Sequence, residues 1–437
     1  MTSEAELRTL FGVKSSQTLG RNDYGWLRVF RHKQLNDAGF FRITAAELKE
    51  LSLREPRLMA KHDSTAARPW IDKELGLNII PLARIEYIAG KFDLFAKFPE
   101  PETLGPVRYM PFPDDIESLN PDDITSEAAA LNASALSHIL DDFLETSTLQ
   151  ATVAGRMSTG SIDVRLACGD FQVSKAQMEI DAGLESADVL GLIEAKNHLS
   201  DDFNIRQLYF PFRRFSQSLS KPVAPVYQVY SNGIFHLYRF DFDDILRPES
   251  IRLVKSARYT LTPSSITLDV IDKLLKTVPI MAEPEAIPFP QADSFARVIN
   301  LCEQLQDSEL SVEAITENYD FTSRQTNYYT GAAKYLGLVN DTNRMWSLTD
   351  FGAKVMASER NERNVALIKA LLRHEVFHVV LARALEKGEV PDRATIVSIM
   401  EASNLELSAS TVTRRAGTVL SWMQWVWSLA TTEELKL

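Results

Sequence analysis

The sequence has little cysteine and no long apolar run. Its 437 residues include two cysteines, Cys168 and Cys302, which are too few for a disulfide framework or a four-cysteine zinc site. No apolar run is long enough to span a bilayer. The N-terminus, MTSEAELRTL, carries acids where a signal peptide is apolar. We therefore expect a cytoplasmic protein with reduced thiols and no membrane partner.

Positive charge is also scarce. The chain has 47 Lys and Arg against 59 Asp and Glu, which gives a net charge of −12. This balance argues against a general binder of polyanions, but a local basic face is compatible with it. An acidic protein that binds DNA has to hold it in a few specific grooves.

Periodicity and linkers predict four regions. The first is α+β, with GWLRVF interpreted as a strand and TAAELKELS as a capped helix. The second alternates helices and strands, which predicts an α/β mixed sheet. A Pro-rich linker, AEPEAIPFPQA, separates it from a mostly helical C-terminal part. The predicted regions are 1–115 (with possible DNA recognition), 116–281 (α/β core), 293–357 (winged helix, described below) and 358–437 (helical DNA-binding or dimerisation unit).

The apolar strand VLGLI runs directly into Glu194, Ala195 and Lys196. Alternate residues of a strand share a face, so Glu194 and Lys196 emerge side by side. We expect Asp181 to end the preceding strand, with a turn at Gly183, so that a hairpin brings Asp181 near Glu194. Two carboxylates and the Ala195 carbonyl suit a hard cation such as Mg²⁺. The lysine would position a water molecule and stabilise a pentavalent phosphate.

The pattern D-x(12)-E-A-K resembles the PD-(D/E)XK nuclease superfamily, with Ile180 in place of the proline. The resemblance implies a nuclease core in which Asp181 and Glu194 bind Mg²⁺ and Lys196 orients the attacking water. It also implies hydrolysis of phosphodiester bonds to leave 5′-phosphates. A surface hairpin with a Glu-x-Lys ion pair, worth under ~1 kcal/mol, is the simpler alternative. The carboxylates that compete with Asp181 for its role are Glu179, Glu185 and Asp188.

The layout of the superfamily implies further site residues. Arg206 and Gln207 follow the lysine and would reach the scissile or a neighbouring phosphate, although a solvated helix face is an equal alternative. The same predicted helix carries Arg213 and Arg214, whose charges suit contact with a DNA backbone. An acid on the helix before the sheet often completes the metal site. Glu127 matches best, and the alternatives are Asp141, Asp142 and Glu145.

A second resemblance lies in the C-terminal half. SVEAITENY and FTSRQTNYYTGAAKYLGLV predict two helices, and VNDTNRMWSLT predicts a two-stranded wing. Together they resemble a winged helix whose recognition helix is capped at Thr322 or Ser323. Arg pairs with guanine and Asn or Gln with adenine, so polar residues near the start of this helix would meet bases. A winged helix used for protein contacts is the alternative. The candidate residues are Arg324, Gln325, Asn327 and Tyr328.

The last predicted helix, in LSASTVTRRAGTVLSWMQWVWSL, carries Arg414 and Arg415, with tryptophans at core spacing. This segment resembles the end of several bacterial type II restriction enzymes, in which helical DNA-binding units follow a PD-(D/E)XK core. The stretch RLMAKHDSTAARPWIDKELGLNIIPLARIEYIAGKFDLF resembles a segment that precedes the core in such enzymes.

HEVFH, residues 374–378, matches the HExxH motif of zinc proteases. His374 and His378 fall on an apolar stripe of one long predicted helix, and no histidine follows His378 in the chain. We therefore interpret the pair as core or interface residues in preference to a zinc site.

These patterns predict a Mg²⁺-dependent, sequence-specific endonuclease of double-stranded DNA, of the type II restriction kind. Cutting both strands of a palindrome favours a homodimer. The resemblance also implies a cognate DNA methyltransferase as a functional partner. The alternatives are a methylation-dependent restriction nuclease, a DNA-binding regulator with an inactive nuclease fold, and a zinc peptidase.

Overall fold

The computed structural model describes residues 3–99, 105–318, 321–403, 405–431 and 434–436. Among the described helices, none has the length and apolarity that a membrane crossing needs.

The N-terminal region packs short helices on a small sheet. Its elements are α1 (Glu4–Leu10), α2 (Arg21–His32), β1 (Phe40–Thr44), α3 (Ala45–Ser52), α4 (Pro56–Ala60), α5 (Trp70–Leu75), β2 (Asn78–Ala83), β3 (Glu86–Gly90) and β4 (Phe95–Lys97). The strand order is β1-β3-β2, with antiparallel pairing.

Two sequence predictions for this region have opposite outcomes. The helix in TAAELKELS is confirmed as α3, and Thr44 and Glu47 form a capping box at its start. The strand in GWLRVF is wrong, because these residues lie in α2. The Asp23 carboxylate accepts a hydrogen bond from the Gly20 N–H at 2.6 Å, which starts the helix, and Trp26 lies in the core of the region. The six residues of GWLRVF are too few, and too mixed in polarity, to distinguish the period of a helix from that of a strand.

Asp72 of α5 gives a testable pH dependence. Its side chain is 3% exposed, and burial raises the pKa of this carboxyl to about 8. The unfolded chain releases the same proton near pH 3.9. Folding therefore takes up a proton between about pH 4 and 8, and the stability that this proton supplies is lost as the pH rises through that window. Asp72→Asn removes the proton linkage.

We expect the unfolding free energy of Asp72→Asn, relative to that of the wild type, to increase as the pH rises from 5 to 8. The increase should reach at most about 1.4 kcal/mol per pH unit. Urea unfolding at several pH values measures this slope. Asp170→Asn, at a carboxylate that is 70% exposed, is the control for the loss of one carboxyl group. A difference that stays constant with pH would contradict the prediction.

The central region is built around a mixed sheet. Its elements are β5 (Val107–Tyr109), α6 (Glu127–Leu136), α7 (Ile139–Leu144), β6 (Gln150–Ser158), β7 (Ser161–Leu166), β8 (Gly169–Ser174), β9 (Gln177–Glu185), β10 (Leu190–Lys196), β11 (Asp202–Asn204), α8 (Arg206–Ser216), β12 (Val223–Ser231), β13 (Ile234–Phe242) and β14 (Ile251–Thr260). Seven of these strands follow the order β5-β14-β13-β12-β10-β9-β6. β10 is parallel to β12 and β14 is parallel to β5, whereas the other neighbours are antiparallel.

Helices cover both faces of this sheet. Leu192 of β10 packs in one core cluster with Tyr209 and Phe210 of α8. Ile193, the next residue, packs in another cluster with Phe143 of α7. The helix predicted before the sheet is interrupted, because His138 adopts a left-handed conformation between α6 and α7. Asn232 and Gly233 both have positive φ and form the tight turn between β12 and β13.

The C-terminal region is mostly helical. Its elements are α9 (Leu268–Thr277), α10 (Phe295–Gln304), β15 (Leu310–Ser311), α11 (Val312–Asn318), α12 (Ser323–Tyr335), β16 (Val339–Thr342), β17 (Met345–Leu348), α13 (Asp350–Met356), α14 (Arg360–Leu372), α15 (Glu375–Lys387), α16 (Arg393–Ala402), α17 (Ala409–Thr431) and β18 (Glu434–Lys436). β15, β17 and β16 form a small antiparallel sheet.

The region boundaries differ from the predicted ones. β5 pairs with β14 in the central sheet, so the chain joins that sheet before residue 115. Ile271 and Leu274 of α9 pack in one core with α10, α15 and α17, so the C-terminal region begins before residue 281. β18 returns to pair with β5.

Candidate active site

Glu194 and Lys196 lie together at the end of β10, as the strand period predicts. Lys196 Nζ is 2.7 Å from Glu194 Oε1 and donates to the Ala195 carbonyl at 3.0 Å. The Glu194 residue is 9% exposed. A buried charge pair of this kind is costly to desolvate, so a structural ion pair alone accounts for it poorly.

Asp181 reaches this place through an irregularity in β9. The pairing of β9 with β6 shifts register here. Ile180 packs on the α8 face of the sheet and Ala182 on the α7 face, so the alternation breaks at Asp181. Asp181 Oδ2 accepts a hydrogen bond from the Ala195 N–H at 2.8 Å. Bulges of this kind often redirect a side chain next to a functional site.

The expected turn at Gly183 is wrong, because β9 continues to Glu185. The Cβ of any other residue at Gly183 would lie 2.9 Å from Val153 Cβ, so this glycine permits close strand approach and forms no turn. The rival carboxylates lie elsewhere. Glu179 pairs with Arg156, Glu185 pairs with Lys221, and Asp188 is exposed.

The start of α8 brings two more predicted residues to the site. Gln207 Nε2 donates to Glu194 Oε1 at 2.7 Å, and the buried Gln207 Oε1 has no hydrogen-bond partner among the described residues. The Arg206 guanidinium lies 6.0 Å from the Phe210 ring and makes no ion pair within the described part of the chain. Burial lowers the pKa of Arg206, while the charges of Asp63 and Glu194 oppose the shift. Arg206 is therefore available to an anion that approaches Glu194.

Glu127 is the acid of the preceding helices whose charge influences the pKa of Lys196. It lies in the first turn of α6, is exposed, and raises the pKa of Lys196 through its charge. The alternatives are engaged elsewhere: Asp141 accepts from the Leu149 N–H, Asp142 pairs with Arg108, and Glu145 pairs with Lys255.

The electrostatics of the site are set by burial and by the close charges. Burial raises the pKa of Glu194 to about 7; Asp181 and Asp63 act in the same direction, and Lys196 opposes them. Burial is the largest single influence on the pKa of Lys196 and lowers it. The surrounding negative charges, Glu194 first, together outweigh burial and leave the pKa well above its ordinary value. Lys196 is therefore a cation, and Glu194 gains from any further positive charge placed beside it.

The potential cation ligands are all oxygen atoms. Within the described ranges, no three His, Cys, Asp or Glu side chains are grouped so that they could hold a metal ion. A cation would therefore rely on Asp181, Glu194, the Ala195 carbonyl and water. Mg²⁺ binds such sets, since it keeps several waters. Lys196 Nζ already contacts two of these oxygens, Glu194 Oε1 and the Ala195 carbonyl. A bound cation would therefore share them with the ammonium or displace it.

The N-terminal region adds residues that the sequence analysis missed. Asn204 donates through its side chain to the His62 carbonyl and through its N–H to the Asp63 carbonyl, both at 2.8 Å. Its side-chain oxygen accepts from the Arg206 N–H at 3.0 Å. Buried His62 Nε2 and Asp63 Oδ1 have no hydrogen-bond partner among the described residues. No spacing rule connects Asp63 with Glu194, so only the fold reveals this proximity.

The candidate DNA contacts of α12 and α17 lie near one another. Arg324 Nε donates to the Tyr328 hydroxyl at 2.6 Å, and its guanidinium lies 5.3 Å from the Tyr328 ring. Burial and the neighbouring Arg414 lower the pKa of Arg415, while Tyr328 opposes them. Arg324 and Arg414 are exposed. We call Arg324, Tyr328, Arg414 and Arg415 the arginine face.

The two other predicted base contacts, Gln325 and Asn327, differ in whether their side chains already have partners within the protein. Gln325 forms a capping box with Thr322, and its amide nitrogen lies 3.4 Å from Asp201. Asn327 is exposed.

The prediction of Arg213 as a DNA contact is wrong. Arg213 is 4% exposed, and its guanidinium donates to the Ile245 carbonyl. It also lies 5.9 Å from the Tyr209 ring, so it ties α8 to the loop after β13. Arg214, the next residue, is exposed.

The HEVFH segment has the geometry of a helix start. The single predicted helix is divided into α14 and α15, because His374 is extended and caps α15. His374 Nδ1 is 3.2 Å from Glu283 and its ring stacks on Tyr335 at 3.9 Å. His378 contacts the Leu372 carbonyl. Glu283, a residue of the Pro-rich linker, is the acid beside His374, and the pair fixes that linker to the helices.

Three domain models match parts of the chain, and each is described only as a domain of unknown function. They are DUF6996 over residues 23–89, DUF6997 over residues 90–260 and DUF7226 over residues 297–431. Asp181, Glu194, Lys196 and Gln207 lie within the second match, Asp63 lies within the first, and the arginine face lies within the third. No curated protein and no solved structure matches the chain.

Proposed function

We propose that the protein is a Mg²⁺-dependent endonuclease of double-stranded DNA, with a PD-(D/E)XK core and the activity of a type II restriction enzyme. One observation carries the proposal. Asp181, within β9, meets Glu194 and Lys196 at the end of the adjacent β10, and Gln207 of the following helix donates to Glu194.

The surrounding architecture supports the same proposal. Helices α6 and α7 precede the strand pair β9–β10, and the helix α8 leads to β12, which is parallel to β10. This order matches the layout that the sequence resemblance implies. The buried Glu194–Lys196 pair beside two partly unsatisfied side chains, Gln207 and Asp63, is also typical of a site that awaits polar substrate atoms.

The site chemistry follows from the charges of these residues. A water oxygen attacks the phosphorus and loses a proton to solvent. The bond from phosphorus to the 3′-oxygen breaks and the 3′-oxygen takes up a proton from solvent, which leaves a 5′-phosphate and a 3′-hydroxyl. Lys196 is protonated, so it orients the water and stabilises negative charge on the phosphate, and it does not remove the proton. Arg206 provides a second positive group near the phosphate. A bound Mg²⁺ would supply further charge neutralisation, and Asp181, Glu194 and the Ala195 carbonyl would hold it.

Recognition of the DNA is assigned to the C-terminal region. Helix, short strand, two helices and a two-stranded hairpin, from α10 to β17, follow the order of a winged helix. The arginine face would contact the duplex, and Asn327 would reach bases. We further propose a cytoplasmic homodimer that works beside a cognate DNA methyltransferase, since a palindromic site favours two-fold symmetry.

Digestion of plasmid DNA tests the proposal. Methylated and unmethylated plasmids are incubated with the full chain and Mg²⁺ or EDTA, and the fragment ends are sequenced. We expect discrete fragments with 5′-phosphates, formed with Mg²⁺ and not with EDTA. Lys196→Met protein, purified identically, excludes a contaminating nuclease.

The other outcomes distinguish the alternatives. Fragments from methylated plasmid alone would indicate a methylation-dependent nuclease. Specific binding without cleavage in Mg²⁺ or Mn²⁺ would indicate a DNA-binding regulator. Absence of both binding and cleavage would refute the proposal.

A further inference from the structure

The loop after the candidate catalytic lysine is held by the C-terminal region. This loop, residues 197–201, joins the end of β10 to β11. We call it the post-lysine loop. Lys196, whose ammonium lies on Glu194, is the residue immediately before this loop.

Asn300 of α10 forms hydrogen bonds with Asn197 and Leu199 in the first half of the loop. Its side-chain nitrogen donates to the Asn197 carbonyl at 2.8 Å, and its side-chain oxygen accepts from the Leu199 N–H at 3.0 Å. Gln304, one helical turn further, donates to the same Asn197 carbonyl at 2.7 Å. Asn300 is 3% exposed, and removal of a buried hydrogen-bond partner is costly.

Helix α10 is itself fixed to the central sheet. Glu303 accepts from the Ser231 hydroxyl at 2.7 Å and from the Asn232 N–H at 2.8 Å, both at the turn between β12 and β13. Arg363 of α14 pairs with the same carboxylate at 3.0 Å. Thus α10 is fixed to the central sheet and to α14, and it presents Asn300 to the loop.

The far end of the loop touches the candidate recognition helix. Asp201 pairs with Arg297 of α10 at 2.5 Å, and the Gln325 amide nitrogen of α12 lies 3.4 Å from the other carboxylate oxygen. The post-lysine loop is therefore contacted by the helix that packs on the sheet and by the helix proposed to read bases.

We propose that Asn300 is a positioning residue for Lys196 and that it acts through the post-lysine loop. The inference rests on the proposed function. In it, Asn300 touches neither DNA nor Mg²⁺, and it fixes the carbonyl and N–H groups that set where β10 ends. A misplacement of about 1 Å can cost roughly 10²-fold in rate, so loss of this support should reduce turnover and leave DNA affinity unchanged.

The test measures turnover and affinity separately for Asn300→Ala. The probe is a short duplex that carries the site mapped from the plasmid fragment ends. We expect turnover at saturating duplex to fall by about 10- to 100-fold, with the dissociation constant within about twofold of wild type. Gln304→Met, a milder variant that removes one bond to Asn197, should lower turnover by a smaller factor and preserve folding.

Asn364→Ala is the matched control. Asn364 is 1% exposed and accepts from Asn232 at 3.1 Å, so its loss weakens the same domain contact without touching the loop. Equal losses of turnover in Asn300→Ala and Asn364→Ala would overturn the inference and indicate a purely structural role, as would a loss confined to affinity. A wild-type chain that cleaves no plasmid would instead remove the proposed function on which the inference depends.

Discussion

Replacing Lys196 with methionine should reduce DNA cleavage by about 10²- to 10³-fold, the usual cost of removing one preorganised donor to transition-state charge. Methionine keeps the apolar stem and removes only the ammonium, which lies 2.7 Å from Glu194. DNA affinity should change little, because a single positive group at the reacting phosphate contributes a small share of all backbone contacts. Initial rates on plasmid and anisotropy with a labelled duplex measure the two quantities.

Lys221→Met provides the control for this variant. Lys221 pairs with Glu185 at 2.8 Å, at the opposite end of the same β9–β10 pair, and its side chain is 26% exposed against 14% for Lys196. It loses the same charge without approaching Glu194, so its cleavage rate should stay near that of wild type. If both variants lose activity equally, stability of the hairpin and not chemistry explains the effect. If Lys196→Met retains full activity, the assignment of the site is wrong.

The sequence predicted the parts of the candidate site that depend on local periodicity. Glu194 and Lys196 share a face because they lie two residues apart in a strand, and the apolar run VLGLI identifies that strand. Gln207 follows at the start of the next helix, and its position near Glu194 follows from the short connection. Such local rules operate within a few residues and need no knowledge of the remaining chain.

The features that the sequence did not predict depend on distant partners. Asp181 turns to the site through a bulge that requires β6 beside it, and Asp63 arrives from another region through Asn204. Arg213 looked like a surface cation, yet the Ile245 carbonyl accepts its hydrogen bond in the interior. In each case a tertiary contact overrides the local pattern, because burial and hydrogen bonding outweigh intrinsic preference.

The second large effect is expected at the arginine face. Replacing Arg324, Arg414 and Arg415 together with alanine should weaken binding of duplex DNA by roughly 10²-fold, at about 1 kcal/mol or more for each lost charged contact. Each phosphate contact contributes about 0.9 to the slope of log affinity against log salt, so the slope should fall by about 2 to 3. Titrations at several salt concentrations, in the Lys196→Met background, measure both quantities without cleavage.

The salt slope separates direct contact from general electrostatics. Arg165, Arg247 and Arg252 provide a matched triple control, because they are exposed or half-buried arginines that pair with nearby acids elsewhere on the chain. Their removal changes the net charge by the same amount, so a long-range effect of charge would weaken binding equally in both triple variants. A contact surface instead lowers the slope only in the Arg324, Arg414 and Arg415 variant. Unchanged slopes in both triple variants would assign DNA binding to another part of the protein. The next surface to test would be the N-terminal region, which reaches Arg206 through Asn204.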